Sequence, residues 1–105
     1  MLELKNSQFK KEIADFSGLA IVDFWAPWCG PCLVLGPIFL NLAEHYKDHS
    51  VKFAKVNVDN ENELAIAFGV QSIPTVKFFK NGKVVDEFVG VLSKEKIKSL
   101  IEKHR

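Results

Sequence analysis

Two runs of residues constrain this chain more than any others. Leu19-Ala20-Ile21-Val22-Asp23-Phe24-Trp25 is a β-branched and aromatic run without polar alternation, and Val51 to Val58 reads as a second strand of the same interior kind. A strand that lacks alternation is one covered on both faces. A long helical pattern lies between the two runs, so they should pair in parallel through a right-handed crossover. Helices must then flank the sheet. The expectation is an α/β fold, with a central mixed β-sheet carrying helices on both faces.

The remaining elements follow from period and punctuation. Phe9, Ile13 and Phe16 fall at helical spacing behind the capping candidates Asn6 and Ser7, with Ser17-Gly18 as a stop. Ile38, Leu42, Ala43 and Tyr46 mark the longest helix, which Pro37 interrupts early and should kink. Leu64, Ala65, Ala67 and Phe68 give a short helix ending at Gly69, and Thr75 to Phe79 resumes a strand pattern. Asn81-Gly82 then separates two strand-like runs, the strongest short signal for a tight hairpin. Ser93 caps a last helix with Ile97, Leu100 and Ile101 inside and Lys94, Lys96, Lys98 and Lys103 outside.

Composition excludes several classes. With 105 residues, 48% of them hydrophobic, the chain is expected to be one domain, residues 1–105, whose core needs no disulfide staples. A net charge of +1 gives no electrostatic footprint for nucleic acid. No apolar run approaches the roughly 20 residues needed to span a bilayer, so no membrane contact is expected. Met1 to Ser7 lacks a basic segment leading into an apolar one, which makes the reducing cytoplasm the expected compartment. A monomer is the expected state.

Chemistry concentrates at Trp28-Cys29-Gly30-Pro31-Cys32, where an interior strand ends and a long helix begins. On a helix starting near Gly30 or Pro31 the cysteines sit about one turn apart, within reach of the roughly 4.4–6.8 Å Cα separation that a disulfide needs. They can close on each other. Pro31 suits the first turn, where its missing N–H has no partner, and Gly30 leaves room for another backbone. The positive end of the helix favours a thiolate at Cys29, the expected nucleophile; Cys32, turned inward, is the expected resolving thiol. Asp23 is the one carboxyl in an otherwise apolar strand that leads into the loop. Desolvation should raise its pKa towards neutrality and suit it as the base for Cys32. Lys55 in the next strand is the natural charge partner, opposing that rise.

Phe24-Trp25-Ala26-Pro27-Trp28-Cys29-Gly30-Pro31-Cys32 resembles the active-site signature of the thioredoxins. The likeness extends through Asp23, Pro37, Lys55, Ile73-Pro74-Thr75, Phe79-Lys80-Asn81-Gly82 and Gly90, nearly the whole chain. It implies the thioredoxin fold and a general protein-disulfide reductase that takes exposed disulfides of proteins as substrates. It implies a thioredoxin reductase as electron donor and no bound cofactor or metal. Cys29, Cys32 and Asp23 would carry catalysis, supported by Gly30, Pro31, Lys55 and Trp25. In that family the proline matching Pro74 is cis and faces the cysteines, presenting Ile73 backbone to the substrate chain, with Gly90 and Trp28 on other sides of the same patch. One position departs: the family usually has Lys or Arg after the second cysteine, and here it is Leu33.

Other readings weigh less. Cys29, Cys32, His45 and His49 satisfy a C2H2 zinc-finger spacing. Thirteen helical positions from Cys32 to His45 amount to about 20 Å, too far for ligands of one ion unless the helix breaks at Gly36-Pro37. His45, His49 and His104 are expected to be solvated residues without a role. Asp23 could be a structural carboxyl satisfied by Lys55, and Trp25 a core aromatic. From its residues alone Pro74 would be an ordinary trans proline.

Overall fold

The computed structural model describes residues 1–105. Five strands form one mixed sheet in the order β1-β3-β2-β4-β5. They are β1 (Leu2–Glu3), β2 (Leu19–Trp25), β3 (Val51–Asn57), β4 (Thr75–Lys80) and β5 (Lys83–Val89). The helices are α1 (Gly30–His45), α2 (Asn62–Ala67) and α3 (Lys94–His104). As the apolar runs require, β2 and β3 are adjacent and parallel, and every residue of β2 except half-buried Trp25 is buried. β4 runs antiparallel to both β2 and β5.

Alternation along β2 divides the core. Leu19 and Ile21 face α1 and α3, packing with Leu35, Phe39, Leu42, Phe53, Phe78, Ile97 and Ile101. Ala20, Val22 and Phe24 face the other way, onto Leu4, Ile13, Ala54, Val56, Leu64 and Phe79. Asp23 shares the α1 side with Ile21, two residues along the same strand. The Asn81-Gly82 hairpin holds φ of 53° and 78° at its two central residues, a pair suited to Asn and Gly. Nothing larger fits at Gly82, where a Cβ would lie 2.6 Å from the Ala14 carbonyl oxygen. Ser93 caps α3 as expected, its Oγ accepting the Lys96 N–H at 3.2 Å.

Two expectations need correction. Residues 9–16 do not form a regular α-helix: a 3-10 turn at Asn6–Gln8 is followed by a π-helical turn at Lys10–Ala14. The wide turn closes when the Asp15 N–H donates to the Lys10 carbonyl at 2.8 Å, and the two side chains pair at 2.9 Å. It lets Phe9 reach Phe68 and Phe79 while Ile13 stays fully buried. Asn6 caps nothing; its backbone N–H and side-chain amide donate instead to Glu61 and Glu63 at the start of α2. Strand β1 has no sequence signal, because two residues cannot show a period.

Candidate active site

Strand β2 ends at Trp25, and α1 begins five residues later at Gly30. Cys29 therefore occupies the N-cap, in extended conformation, with Pro31 in the first turn. A helix N-terminus leaves N–H groups without intrahelical partners. The Cys32 N–H is one of them, and it donates to Cys29 Sγ at 3.3 Å. Both sulfurs belong to free cysteines, Cys29 5% exposed and Cys32 2%. Cys29 is the more exposed, as expected, but by a small margin; their surroundings separate them further. Cys29 Sγ lies 3.7 Å from the Ile73 carbonyl oxygen, at the rim, while Cys32 turns under the first helical turn. Burial pushes the Cys32 thiol well above its ordinary range, and its hydrogen bond with Cys29 pushes the same way.

The Ile73–Pro74 peptide is cis, which places the Ile73 carbonyl against Cys29. Gly90 closes the same edge. Its N–H donates to the Pro74 carbonyl at 2.8 Å, and its φ of +88° is one that a side chain rarely tolerates. Trp28 stands on the other side, 70% exposed. A depression of about 260 Å³ lies beside it, lined by Val58, Asp59, Val70 and Ile73 among others. Around Gly30, apart from its chain neighbours and the backbone of its own helix, no atom lies within 4 Å of where a Cβ would stand, so that face is open to a visiting backbone.

Asp23 is fully buried, and neither carboxylate oxygen has a hydrogen-bond partner. Burial pushes its pKa up to about 7; Lys55 opposes the rise and Glu3 adds to it. Desolvation thus outweighs the counter-charge, the balance that composition alone leaves open. Lys55 stands opposite Asp23 in the β2/β3 register but makes no ion pair with it. Its Nζ lies 3.9 Å from the centre of the Trp25 ring instead. Lys55 thus opposes the rise as expected, but the direct pair that would satisfy a structural Asp23 does not form, because the cation is held over an aromatic face.

The thioredoxin family model matches residues 1–103. A thioredoxin of Chlorobaculum thiosulfatiphilum is 44% identical over 102 residues, covering 97% of this chain and 94% of that protein. Thioredoxin 1 of a Nostoc strain is 40% identical over the same share of this chain and 94% of its own. A thioredoxin of Mycoplasmoides gallisepticum is 39% identical and covered throughout its length. The chain belongs to the thioredoxin family. It is a protein-disulfide oxidoreductase, and its chemistry is dithiol–disulfide exchange.

For this thioredoxin-family chain, the structure brings Cys29, Trp28, Ile73, Pro74 and Gly90 to one rim and sets Cys32, Asp23, Trp25 and Lys55 beneath it. The histidines stand apart. Helix α1 runs without a break through Gly36 and Pro37, so Cys32 and His45 cannot share an ion. One role was missed at the far end: His104 is not a merely solvated residue, because its Nε2 lies 2.8 Å from Asp86 Oδ2 and ties α3 to β5. Another was missed at the rim, where the Trp28 indole N–H donates to Asp59 Oδ2 at 2.9 Å. No local pattern links residues 31 positions apart.

Proposed function

We propose that this chain is a general protein-disulfide reductase, a single thioredoxin domain over residues 1–105. The observation that carries the reading is the Cys29 sulfur on the Cys32 N–H in the first turn of α1 and beside the Ile73 carbonyl, with an unpartnered buried carboxyl below Cys32. In the first step the Cys29 thiolate attacks one sulfur of a client disulfide. The Cys29–client bond forms, the client S–S bond breaks, and the departing client thiolate takes up a proton. Cys32 then loses its proton to Asp23 and attacks Cys29 Sγ. The Cys29–Cys32 bond forms as the Cys29–client bond breaks, the departing client thiolate takes up the proton that Asp23 accepted, and the client leaves as a dithiol, having gained two electrons.

Asp23 fits this task because a base titrating near 7 can both accept and return a proton at neutral pH. Trp28, Ile73, Pro74 and Gly90 form the surface on which a client backbone docks, and Gly30 leaves it room. Gly30 and Pro31 shape the loop, while Lys55 and Trp25 set the field around Asp23. Turnover requires an outside dithiol to reduce the internal disulfide; a thioredoxin reductase is the expected donor, the cytoplasm the expected setting and a monomer the working form. No metal or organic cofactor enters any step. No helix is long and apolar enough to cross a membrane.

The test uses Cys29→Ser and Cys32→Ser with insulin as the disulfide substrate. Both should lose reduction, and Cys32→Ser should trap clients as Cys29 mixed disulfides. Reduction that survives Cys29→Ser defeats the assignment. Equilibration in glutathione buffers fixes direction: a reductant stays oxidised there, whereas a pair readily reduced by glutathione marks an oxidant.

A further inference from the structure

A row of three charged residues crosses the sheet on the α1 side. Glu3 of β1 stands opposite Lys55 of β3, and Lys55 stands opposite Asp23 of β2. Residues in one row of a parallel sheet point to the same face, and two strand spacings put the outer Cα atoms about 10 Å apart. The two carboxyls differ in burial. Asp23 is fully enclosed, whereas Glu3 is exposed at the sheet edge. Between them, the Lys55 ammonium is paired with neither and rests on the Trp25 ring. Lys55 also lines a surface depression with Met1, Gly36, Pro37 and Leu40, so open space adjoins it.

The other groups around Asp23 can be named. From α1 it faces Cys32, with Cys29 beyond it. On β4 its register partner is the uncharged Val76. The amino group of Met1 belongs to the residue that shares the depression with Lys55. Glu3 is thus the one further carboxylate in the row, and it lies on the far side of the cation that Asp23 needs.

We propose that Glu3 is a positioning residue for proton transfer at Asp23: from the sheet edge it competes for the Lys55 ammonium and withholds a counter-charge from the buried carboxyl. The proposal rests on Asp23 being the proton acceptor for Cys32. Its consequence runs against intuition, because removing Glu3 should make resolution faster below neutrality. With Glu3 gone, Lys55 is free to stabilise ionised Asp23, so a larger fraction of molecules carries a competent base at pH 6.

The experiment compares Glu3→Gln and Glu3→Lys in the full chain, with two readouts. One is titration of the Asp23 carboxyl carbon by NMR; the other is the pH dependence of client release from a Cys29 mixed disulfide. Glu3→Gln should lower the Asp23 midpoint by about half a unit and Glu3→Lys by about twice that. Release at pH 6 should become about two- to threefold faster in Glu3→Gln, with no gain at pH 8. Most of the shift should vanish in a Lys55→Met background; a full shift there overturns competition for the lysine. A midpoint unmoved in both variants overturns the role of Glu3. A midpoint that moves beside an unmoved release profile leaves the coupling in place and removes Asp23 as the base, which is the failure of the earlier reading.

Discussion

Asp23 and Asp86 are carboxylates of one sheet, on strands separated only by β4, and they titrate in opposite directions. Asp86 meets the end of α3, where His104 Nε2 lies 2.8 Å away and holds its carboxyl below the usual range. Nearby, the Tyr46 hydroxyl donates to Glu102 at 2.7 Å, so the polar groups of that corner are satisfied as well. Asp23 meets the beginning of α1, where two thiols and a cation drawn onto Trp25 leave both its oxygens without a partner. An unpaired buried carboxyl is costly to a fold. The same residue type is therefore satisfied where a helix end supplies a donor and left unpartnered where none is supplied.

The sharpest way to break this contrast is Asp23→Asn. Folded Asp23 titrates near 7 against an ordinary 3.8, so the native chain holds a proton that the unfolded chain has lost between those values. Stability accordingly falls as pH rises from about 4 to about 7 and stays lowered above, by on the order of 4 kcal/mol for a shift of this size. The Asn variant escapes that loss. Urea denaturation at pH 8 should show it about 2–4 kcal/mol more stable than the parent, with no gain at pH 4, while client release slows at least about tenfold. Equal stability at pH 8 would mean Asp23 is satisfied after all.

Asp86→Asn should do the reverse on a smaller scale. The folded pKa lies below the unfolded value, so this contribution is complete above the ordinary carboxylate range and is lost as pH falls through the folded value. A partly solvated pair of this kind contributes about 1 kcal/mol, seen as a destabilisation at pH 7 that disappears near pH 2, with disulfide exchange unchanged. Smallest of all is Leu33→Lys. Leu33 is 58% exposed beside the cysteines, and a charge there should alter which partners dock more than how Cys29 reacts. Rates with a small disulfide should stay within about twofold, while acidic protein substrates gain a salt-sensitive preference. A tenfold change with the small disulfide would place position 33 in the chemistry itself.

Much of this architecture was legible because its signals are local. The uninterrupted apolar run of β2, the Asn81-Gly82 turn and the Ser93 cap each rest on a few neighbouring residues. What failed needed distant partners. Asn6 looks like a cap until Glu61 and Glu63 arrive to take its donors, and Lys55 looks like a salt-bridge partner until Trp25 lies beneath it. His104 and Asp59 acquired roles only from residues 18 and 31 positions away. The site was legible as a set of residues, since Cys29 to Cys32 announce themselves by spacing and resemblance.

By itself, then, the order of residues determined the strand types, the hairpin, the helix that begins at the cysteines and the place of the cysteine pair on its first turn. These depend on side-chain period, backbone freedom and capping, all settled within one or two turns of chain. The tertiary structure alone decided how strongly Asp23 holds its proton, where the Lys55 charge sits and which carboxylates find donors. Those outcomes depend on burial and on through-space distance between strands, and neither exists until the sheet has closed over its core.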